Sequence, residues 1–280
     1  MSILQHLNAI SNCRLTPYRQ LCRNGSQTAS PLIIEKKAIC LYTALQHRAS
    51  IFFSLIQEIE ISVRNEMARL IQKNTPNGDL LNHFCDLATN NTTTTLSKYS
   101  QNELNSCLKK LLNKAINNPS KNIKFLNDQN YAYQQLQKYN ISADDIIASM
   151  TFGFWVSLID SNTKRNPHYL HWSNMFYCKL FDNRFNTIQQ LFDDLRDVRD
   201  FRNRLSHQDC IWNKSARTPK EALKNLDDKY IRFSRILDKL SPNRYSFRTI
   251  STYLSWQESL NFDYDIFIAE IEQMMEISFI

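Results

Sequence analysis

Glycine is scarce in this chain, since only three of its 280 residues are glycine, against an average of about 7%. Tight sheet turns and phosphate-cradling loops use glycine for its positive φ angles and its small size. The chain also lacks the G-x-G-x-x-G and G-x-x-x-x-G-K patterns of dinucleotide-binding and P-loop proteins. These absences predict an all-α fold and argue against both nucleotide-binding classes.

The seven cysteines are odd in number and form no C-x-x-C pair. This pattern argues against a disulfide framework or a zinc site and favours a reducing compartment. The first 20 residues lack a signal-peptide core, and no run reaches the roughly 18 apolar residues of a membrane span. We therefore expect a cytoplasmic protein with no membrane partner.

The net charge is +7 and the sequence pI is about 9.0, which is typical of proteins that bind polyanions. The charge is unevenly spread along the chain. Residues 1–50 hold six basic residues and one acidic residue, and residues 257–280 hold six acidic residues and no basic one. This polarity predicts either RNA bound at one end or attraction between the two ends.

A long helix is predicted between residues 32 and 73, which include no glycine and no proline. Its apolar residues alternate at spacings of four and three, as in a heptad seam. They are Leu45, Ala49, Phe52, Ile56, Ile59, Val63 and Leu70. We expect this helix to form the spine of a helical bundle, with Pro31 at its start.

The rest of the chain predicts shorter helices within a single all-helical domain over residues 1–280. Pro17 and Gly25 are expected to interrupt any long helix in the N-terminal segment, residues 1–30. Residues 74–140 are expected to be a variable helical insertion. Ser142 is expected to cap an apolar helix that continues to Asp160, with Gly153 allowing close helix approach. The C-terminal helices, residues 213–280, are expected to dock on the bundle, with a final pair over 243–260 and 262–278.

The stretch from Thr187 to His207 has the strongest helical pattern, because its apolar residues recur every three or four positions. They are Ile188, Leu191, Leu195, Val198, Phe201 and Leu205. At about 100° per residue, Arg196, Arg199, Asn203 and His207 share the opposite face. Arg202 falls on the flank of the apolar stripe, where an unpaired guanidinium is costly.

Arginine and histidine side chains in this arrangement suit phosphodiester chemistry. Arg202 offers a planar fork of donors to phosphate oxygens, and His207 can move a proton near neutral pH. The alternative is that Arg202 is an interior charge paired with a carboxylate and that His207 only ends the helix. A second difficulty is that the two side chains lie roughly 140° apart on a straight helix.

Two other groups of residues have a functional and a structural interpretation. Glu60 and Arg64 form an i,i+4 pair, which is either a surface salt bridge or a support for the polar site on the 187–207 helix. His168 and His171 lie three residues apart, but no nearby cysteine or carboxylate completes a metal-binding set. We therefore predict no metal and no other cofactor.

Four segments resemble a known family. FRNRLSHQDCIW, from Phe201 to Trp212, resembles the R-N-x-x-x-H signature of the HEPN superfamily. ISNCRLTPY, IEISVRNEM and TFGFWVSLI resemble, in the same order, segments of the Abi-like (abortive-infection) branch of that superfamily. The resemblance runs from about Ser11 to Trp212, and the 74–140 region lies outside it.

The resemblance implies a HEPN-like helical bundle with metal-independent endoribonuclease activity, acting in phage defence or as a toxin. Arg202 would bind the scissile phosphate, His207 would act as general base or acid, and Asn203 would orient the imidazole or the phosphate. Glu60, Arg64 and Asn65 would support the site, and Arg196, Arg199 and Arg204 would contact RNA. The implied partners are the RNA substrate, a second copy in a homodimer, and an antitoxin. A non-catalytic RNA- or nucleotide-binding HEPN regulatory module and a structural partner protein are the alternatives.

Overall fold

The computed structural model describes residues 10–25, 29–89, 95–117, 126–177, 179–207, 209–212, 215–250 and 273. These residues form eleven α-helices, two 3-10 turns and no strand, so the all-α fold class is confirmed. The helices are α1 (Asn12–Gly25), α2 (Pro31–Asn74), α3 (Leu80–Thr89), α4 (Lys98–Ile116), α5 (Gln129–Lys138), α6 (Ala143–Ser149), α7 (Phe152–Ser157), α8 (Tyr169–Phe176), α9 (Ile188–Ser206), α10 (Pro219–Leu240) and α11 (Pro242–Ile250). The turns are Pro76–Gly78 and Leu180–Asn183.

The chain divides into two compact units. The first unit comprises Met1–Glu58 and Asp200–Ile280, and the second comprises Ile59–Arg199. Helices α2 and α9 each contribute residues to both units. The region 74–140 belongs to the second unit and the region 213–280 to the first. That the chain is one domain with a variable insertion stays a prediction.

Helix α2 is the predicted spine, and it runs without a break from Pro31 to Asn74. All seven apolar residues of its predicted seam are buried. Among the described helices, α2 is long and apolar enough to cross a membrane by length and composition alone, but 59% of its most apolar window is buried. A core helix passes the same test, so this property is weak evidence for a membrane span.

An aromatic cluster lies in the core of the first unit. The ring of Phe52 lies 4.6 Å from Phe201, 5.4 Å from Tyr230 and 6.1 Å from Phe233, between ring centroids. The rings of Phe201 and Phe233 lie 5.5 Å apart in an edge-to-face arrangement. Such pairs contribute roughly 0.5–1.5 kcal/mol each beyond the burial of their area. The cluster therefore joins α2, α9 and α10 within this unit.

The second unit confirms the predicted cap at Ser142 and corrects the helix that follows it. The Ser142 hydroxyl accepts a hydrogen bond from the Asp145 N–H, and the Asp145 carboxylate accepts one from the Ser142 N–H. The expected continuous helix to Asp160 is wrong, because Met150 is extended and separates α6 from α7. Thr151 begins the second helix, since its hydroxyl accepts a hydrogen bond from the Phe154 N–H.

Two further expectations from proline and glycine are wrong. Pro17 lies inside α1 rather than ending it. The helix buries Leu15, Tyr18, Leu21 and Cys22, and at roughly 1.5–3 kcal/mol per large apolar side chain this outweighs the roughly 3 kcal/mol that an interior proline costs. At Gly153, an added Cβ atom would lie 3.9 Å from the Arg199 Cδ. That is an ordinary contact, so close packing does not require glycine there.

The end of the chain is described in part. Pro219 opens α10 at the expected position, and Pro242 opens α11 after Ser241. The predicted final helical pair falls mostly on residues 251–280, which, Gln273 apart, lie outside the described residues.

The six described cysteines are all free thiols, and burial raises the pKa of Cys85 to about 12 and that of Cys107 to about 11.

Two buried arginines of the first unit give contrasting predictions. Arg48 is 3% exposed and forms an ion pair with Asp227, whereas Arg248 is 5% exposed and donates to the neutral Tyr230 hydroxyl at 3.2 Å. The Nε and Nη1 atoms of Arg248 are buried and bond to no acceptor in the described chain. Arg48→Met should lower the free energy of unfolding by about 3 kcal/mol, because it leaves a carboxylate without its cation. Arg248→Met should be neutral or stabilising.

The measurement is chemical denaturation at pH 7, with Arg235→Met, at an exposed position of α10, as the matched control. Equal destabilisation by the Arg48 and Arg248 variants would show that the Arg248 guanidinium has a partner in solution, and the contrast between the two sites would be lost.

The cap at Ser142 gives a prediction that depends on pH. Ser142→Ala should lower the stability of the second unit by about 1 kcal/mol at pH 7. Hydrogen bonds from the Ser142 side chain and backbone hold the pKa of Asp145 below its usual range. The stability that this carboxylate contributes is therefore present above about pH 4 and is lost as the pH falls through the lowered pKa. The difference between the wild type and Asp145→Asn should shrink between pH 7 and pH 3.

Urea denaturation at the two pH values measures both effects. Ser149→Ala, an exposed change in the last turn of the same helix, is the control and should stay close to the wild type. A constant difference for Asp145→Asn across this pH range would contradict the role of the carboxylate.

Candidate functional site

The R-N-x-x-x-H residues lie in the last turn of α9 and directly after it. Phe201 and Leu205 are buried, and the Phe201 ring packs on Phe52 and Phe233. This packing fixes the rotation of the helix, so Arg202 is half-buried on the flank of the apolar stripe while Asn203 is exposed. The predicted helix and its buried stripe are confirmed, with Ile188 half-buried at the first turn.

The helix ends at Ser206, immediately before His207. The His207 N–H still donates to the Asn203 carbonyl oxygen at 3.0 Å, and the Asp209 N–H donates to the Arg204 carbonyl oxygen at 2.9 Å. The second bond has the spacing of the Schellman motif, in which the chain turns away from the helix axis. His207 therefore occupies the C-terminal cap, and its side chain is exposed.

Two cationic side chains and several aromatic rings lie near this turn within the first unit. The Arg204 guanidinium lies 6.0 Å from the Phe201 ring centroid, and the Lys229 ammonium lies 5.3 Å from the same centroid. Beyond the turn, Trp212 is buried and its ring lies 4.8 Å from that of Tyr18. Burial, Cys210 and Tyr42 hold the pKa of Tyr18 above its usual range, so its hydroxyl stays protonated.

Arg196 and Arg199 belong to the second unit. The Arg196 side chain is 46% exposed, pairs with Asp193 at 2.9 Å and lies 5.2 Å from the Phe192 ring centroid. Arg199 is half-buried. Their predicted contact with RNA, like that of Arg204, stays a prediction.

Glu60, Arg64 and Asn65 also belong to the second unit, and their predicted support of the R-N-x-x-x-H residues stays a prediction. Arg64 pairs with Glu60 and donates from Nη1 to the Ala148 carbonyl oxygen at 2.9 Å. The predicted i,i+4 pair is therefore present and largely buried, with side chains that are only 15% and 12% exposed. The Arg64 Nε is buried and bonds to no described acceptor.

A cavity of about 730 Å³ opens beside this ion pair, entirely within the second unit. One wall is the face of α2 that carries Arg64, Asn65 and Gln72, and the other is α6 with the residue before it. We refer to it as the α2–α6 cavity. Arg69, Gln72 and Ser142 line it and were not predicted as site residues. For Arg69 and Gln72, the signal in the sequence is their spacing from Asn65, at i+4 and i+7 on one helix face.

Among the residues that the structure describes, no group of three or more histidine, cysteine, aspartate or glutamate side chains is placed to hold a metal ion. That the protein uses no metal stays a prediction. Desolvation lowers the pKa of His83, which Asp86 partly offsets and His171 lowers further. At His171, which is exposed at its surface, partial desolvation and the nearby His168 also lower the pKa. These imidazoles are therefore neutral at physiological pH.

Comparison with known proteins identifies the family. No curated protein and no solved structure matches the chain. The family model described as Abi-like protein matches residues 5–213, which include α1 to α9, the cap at His207 and Trp212. The match extends over most of the chain, and the chain therefore belongs to the Abi-like protein family.

Proposed function

We propose that the protein is a metal-independent endoribonuclease that acts as an effector of bacterial phage defence or as a toxin. Membership of the Abi-like family suggests a role in abortive infection. The proposed reaction depends on the residues at the C-terminal end of α9. The observation that carries the proposal is that α9 ends at Ser206, with a half-buried Arg202 before this point and an exposed His207 after it.

This geometry bears on the roughly 140° that separates Arg202 and His207 on a straight helix. The helix ends directly after Ser206, but the His207 N–H still bonds to the Asn203 carbonyl oxygen, so the imidazole begins from a helical position. One phosphate would then be shared through rotation of the two side chains of one subunit, or by side chains from two subunits. We propose a homodimer in which two such sites face one cleft.

The proposed reaction is attack by the ribose 2′-oxygen on the adjacent phosphorus. A neutral His207 imidazole accepts the 2′-OH proton, the 2′-oxygen bonds to phosphorus, and the bond from phosphorus to the 5′-oxygen breaks. A protonated imidazole, supplied by His207 of the second copy, gives its proton to the leaving 5′-oxygen. The products are a 2′,3′-cyclic phosphate and a 5′-hydroxyl.

Arg202 would stabilise the charge that develops on the phosphate oxygens, since its guanidinium is held by the helix before substrate arrives. Asn203, one turn before His207, would orient the imidazole or the phosphate. Arg196, Arg199 and Arg204 would contact the RNA backbone and contribute affinity rather than chemistry. No step requires a cofactor. We further propose that the protein acts in the cytoplasm and that an antitoxin restrains it.

The first test replaces the two central residues. Arg202→Ala and His207→Ala should each reduce RNA cleavage by roughly 100-fold or more, because removing a charge stabiliser or a proton-transfer group commonly costs that much. Cleavage of labelled RNA is followed in EDTA, which leaves a metal-independent reaction intact. The melting temperature of each variant should stay close to that of the wild type, since Arg202 is half-buried and His207 exposed.

Arg235→Ala and His171→Ala, both at exposed positions, are the matched controls and should cleave normally. A wild-type protein that binds RNA without cutting it would contradict the proposal and favour the non-catalytic binding module. Full activity of the folded Arg202→Ala and His207→Ala variants would also contradict it.

A second test uses the chemistry of the substrate. An RNA with a single 2′-deoxynucleotide at the cleaved position should resist cutting there, because the attacking oxygen is missing. The matched all-RNA strand should yield fragments with 2′,3′-cyclic phosphate ends, identified by mass spectrometry. Cutting of the deoxy-substituted strand at that same position would show that water, rather than the ribose, attacks the phosphorus.

A further inference from the structure

The α2–α6 cavity has a size and lining that suit a small planar ligand. Its volume is about 730 Å³, and it is open to solvent, so it suits a flat group bound against one wall rather than an enclosed ligand. Apolar side chains form part of its wall, among them Ile61, Ala68 and Ile147. Ala68 and Ile147 are buried, whereas Ile61 is 38% exposed. An apolar surface with one exposed isoleucine favours contact with the flat face of a ring.

Two amide side chains line the wall of the cavity that α2 forms. Asn65 and Gln72 both line the cavity, and both are exposed. Gln72 has one long hydrogen bond, from its amide nitrogen to the Gly78 carbonyl oxygen at 3.4 Å. A carboxamide offers a donor and an acceptor side by side, and this pairing matches the edges of nucleobases. The wall can therefore bind a group that presents both donors and acceptors.

The charges around the cavity argue against a phosphate ligand. Arg64 is paired with Glu60, and Arg69 is paired with Glu66 at 2.7 Å. Asp144 adds a further carboxylate to the lining. The two cations are therefore balanced by carboxylates, and a phosphate would have to compete with Glu60 and Glu66 for them.

Arg69 can contact a ligand through the flat face of its guanidinium rather than bind a phosphate. Its Nε and Nη2 atoms donate to the two Glu66 carboxylate oxygens at 2.8 and 2.7 Å. These two parallel hydrogen bonds fix the plane of the guanidinium. Bases of single-stranded RNA stack on arginine planes held in this way.

We propose that the α2–α6 cavity is a nucleobase subsite for single-stranded RNA, in which Asn65 and Gln72 contact the edge of one base and Arg69 its face. This inference rests on the proposed function, because RNA is the substrate proposed there. It gives Asn65 a direct role in binding and leaves Arg64 to hold α6 against α2 through Ala148. The subsite adds affinity for an unpaired nucleotide and takes no part in proton transfer.

The test measures binding rather than cleavage, with full-length protein that carries His207→Ala so that the RNA stays intact. The probe is a fluorescein-labelled single-stranded RNA of ten nucleotides. Adding Asn65→Ala and Gln72→Ala should weaken binding at least about fivefold, because the hydrogen bonds to the base edge are lost. Adenosine, guanosine, cytidine and uridine are then used as competitors, and at least one should displace the probe from the parent protein where inorganic phosphate does not.

The matched control carries Asn130→Ala and Gln134→Ala, which remove the same residue types from exposed positions of α5 in the same unit. It should bind the probe like the parent protein. The slope of log K against log salt counts contacts between cations and phosphates, so it is measured for Arg69→Gln, which removes the charge that would bind a phosphate. The slope should stay close to that of the parent protein, and a slope smaller by about one would overturn the proposal in favour of a phosphate contact.

Unchanged affinity in the Asn65 and Gln72 variant would also overturn the proposal, and the cavity would then be a gap between helices or a site for another class of partner. This failure is distinct from failure of the proposed function. If wild-type protein cuts RNA in EDTA while the cavity variant binds normally, only the subsite is wrong. If the wild type neither cuts nor binds RNA, the proposed function fails as well.

Discussion

The burial of Phe201 is the constraint on which the proposed active site depends. Its ring packs against Phe52 of α2 and Phe233 of α10 in the first unit. With Phe201 fixed, the helical period leaves Arg202 half-buried and Asn203 exposed. A substitution in this aromatic cluster would therefore disturb the site through rotation of the helix, even though the ring takes no part in chemistry.

The end of α9 matters as much as its rotation. A helix that continued past His207 would keep the imidazole and the Arg202 guanidinium on different faces. The hydrogen bond from the Asp209 N–H to the Arg204 carbonyl oxygen closes the helix one residue after Ser206. The helix thus ends directly before the residue proposed to move protons, and the side chain of that residue is exposed.

The second unit holds a different kind of polar arrangement. Arg64 is fixed by Glu60 on its own helix and by the Ala148 carbonyl oxygen of α6. A guanidinium bound in this way holds two helices together, and the groups beside it are left to line a cavity. The proposed roles divide accordingly, with proton transfer at the α9 terminus of the first unit and recognition of an unpaired base in the second.

The sequence by itself determined the all-α class, the extent of α2 and α9, the cap at Ser142 and the helix start at Pro219, because helical periodicity and capping act over a few residues. It also indicated the Abi-like family through short segments in a fixed order. Only the tertiary structure decided that Pro17 lies within a helix, that Met150 breaks one, and that Arg64 reaches Ala148 rather than solvent. Burial against distant residues outweighs local propensity at these positions, and no local pattern records which distant residues those are.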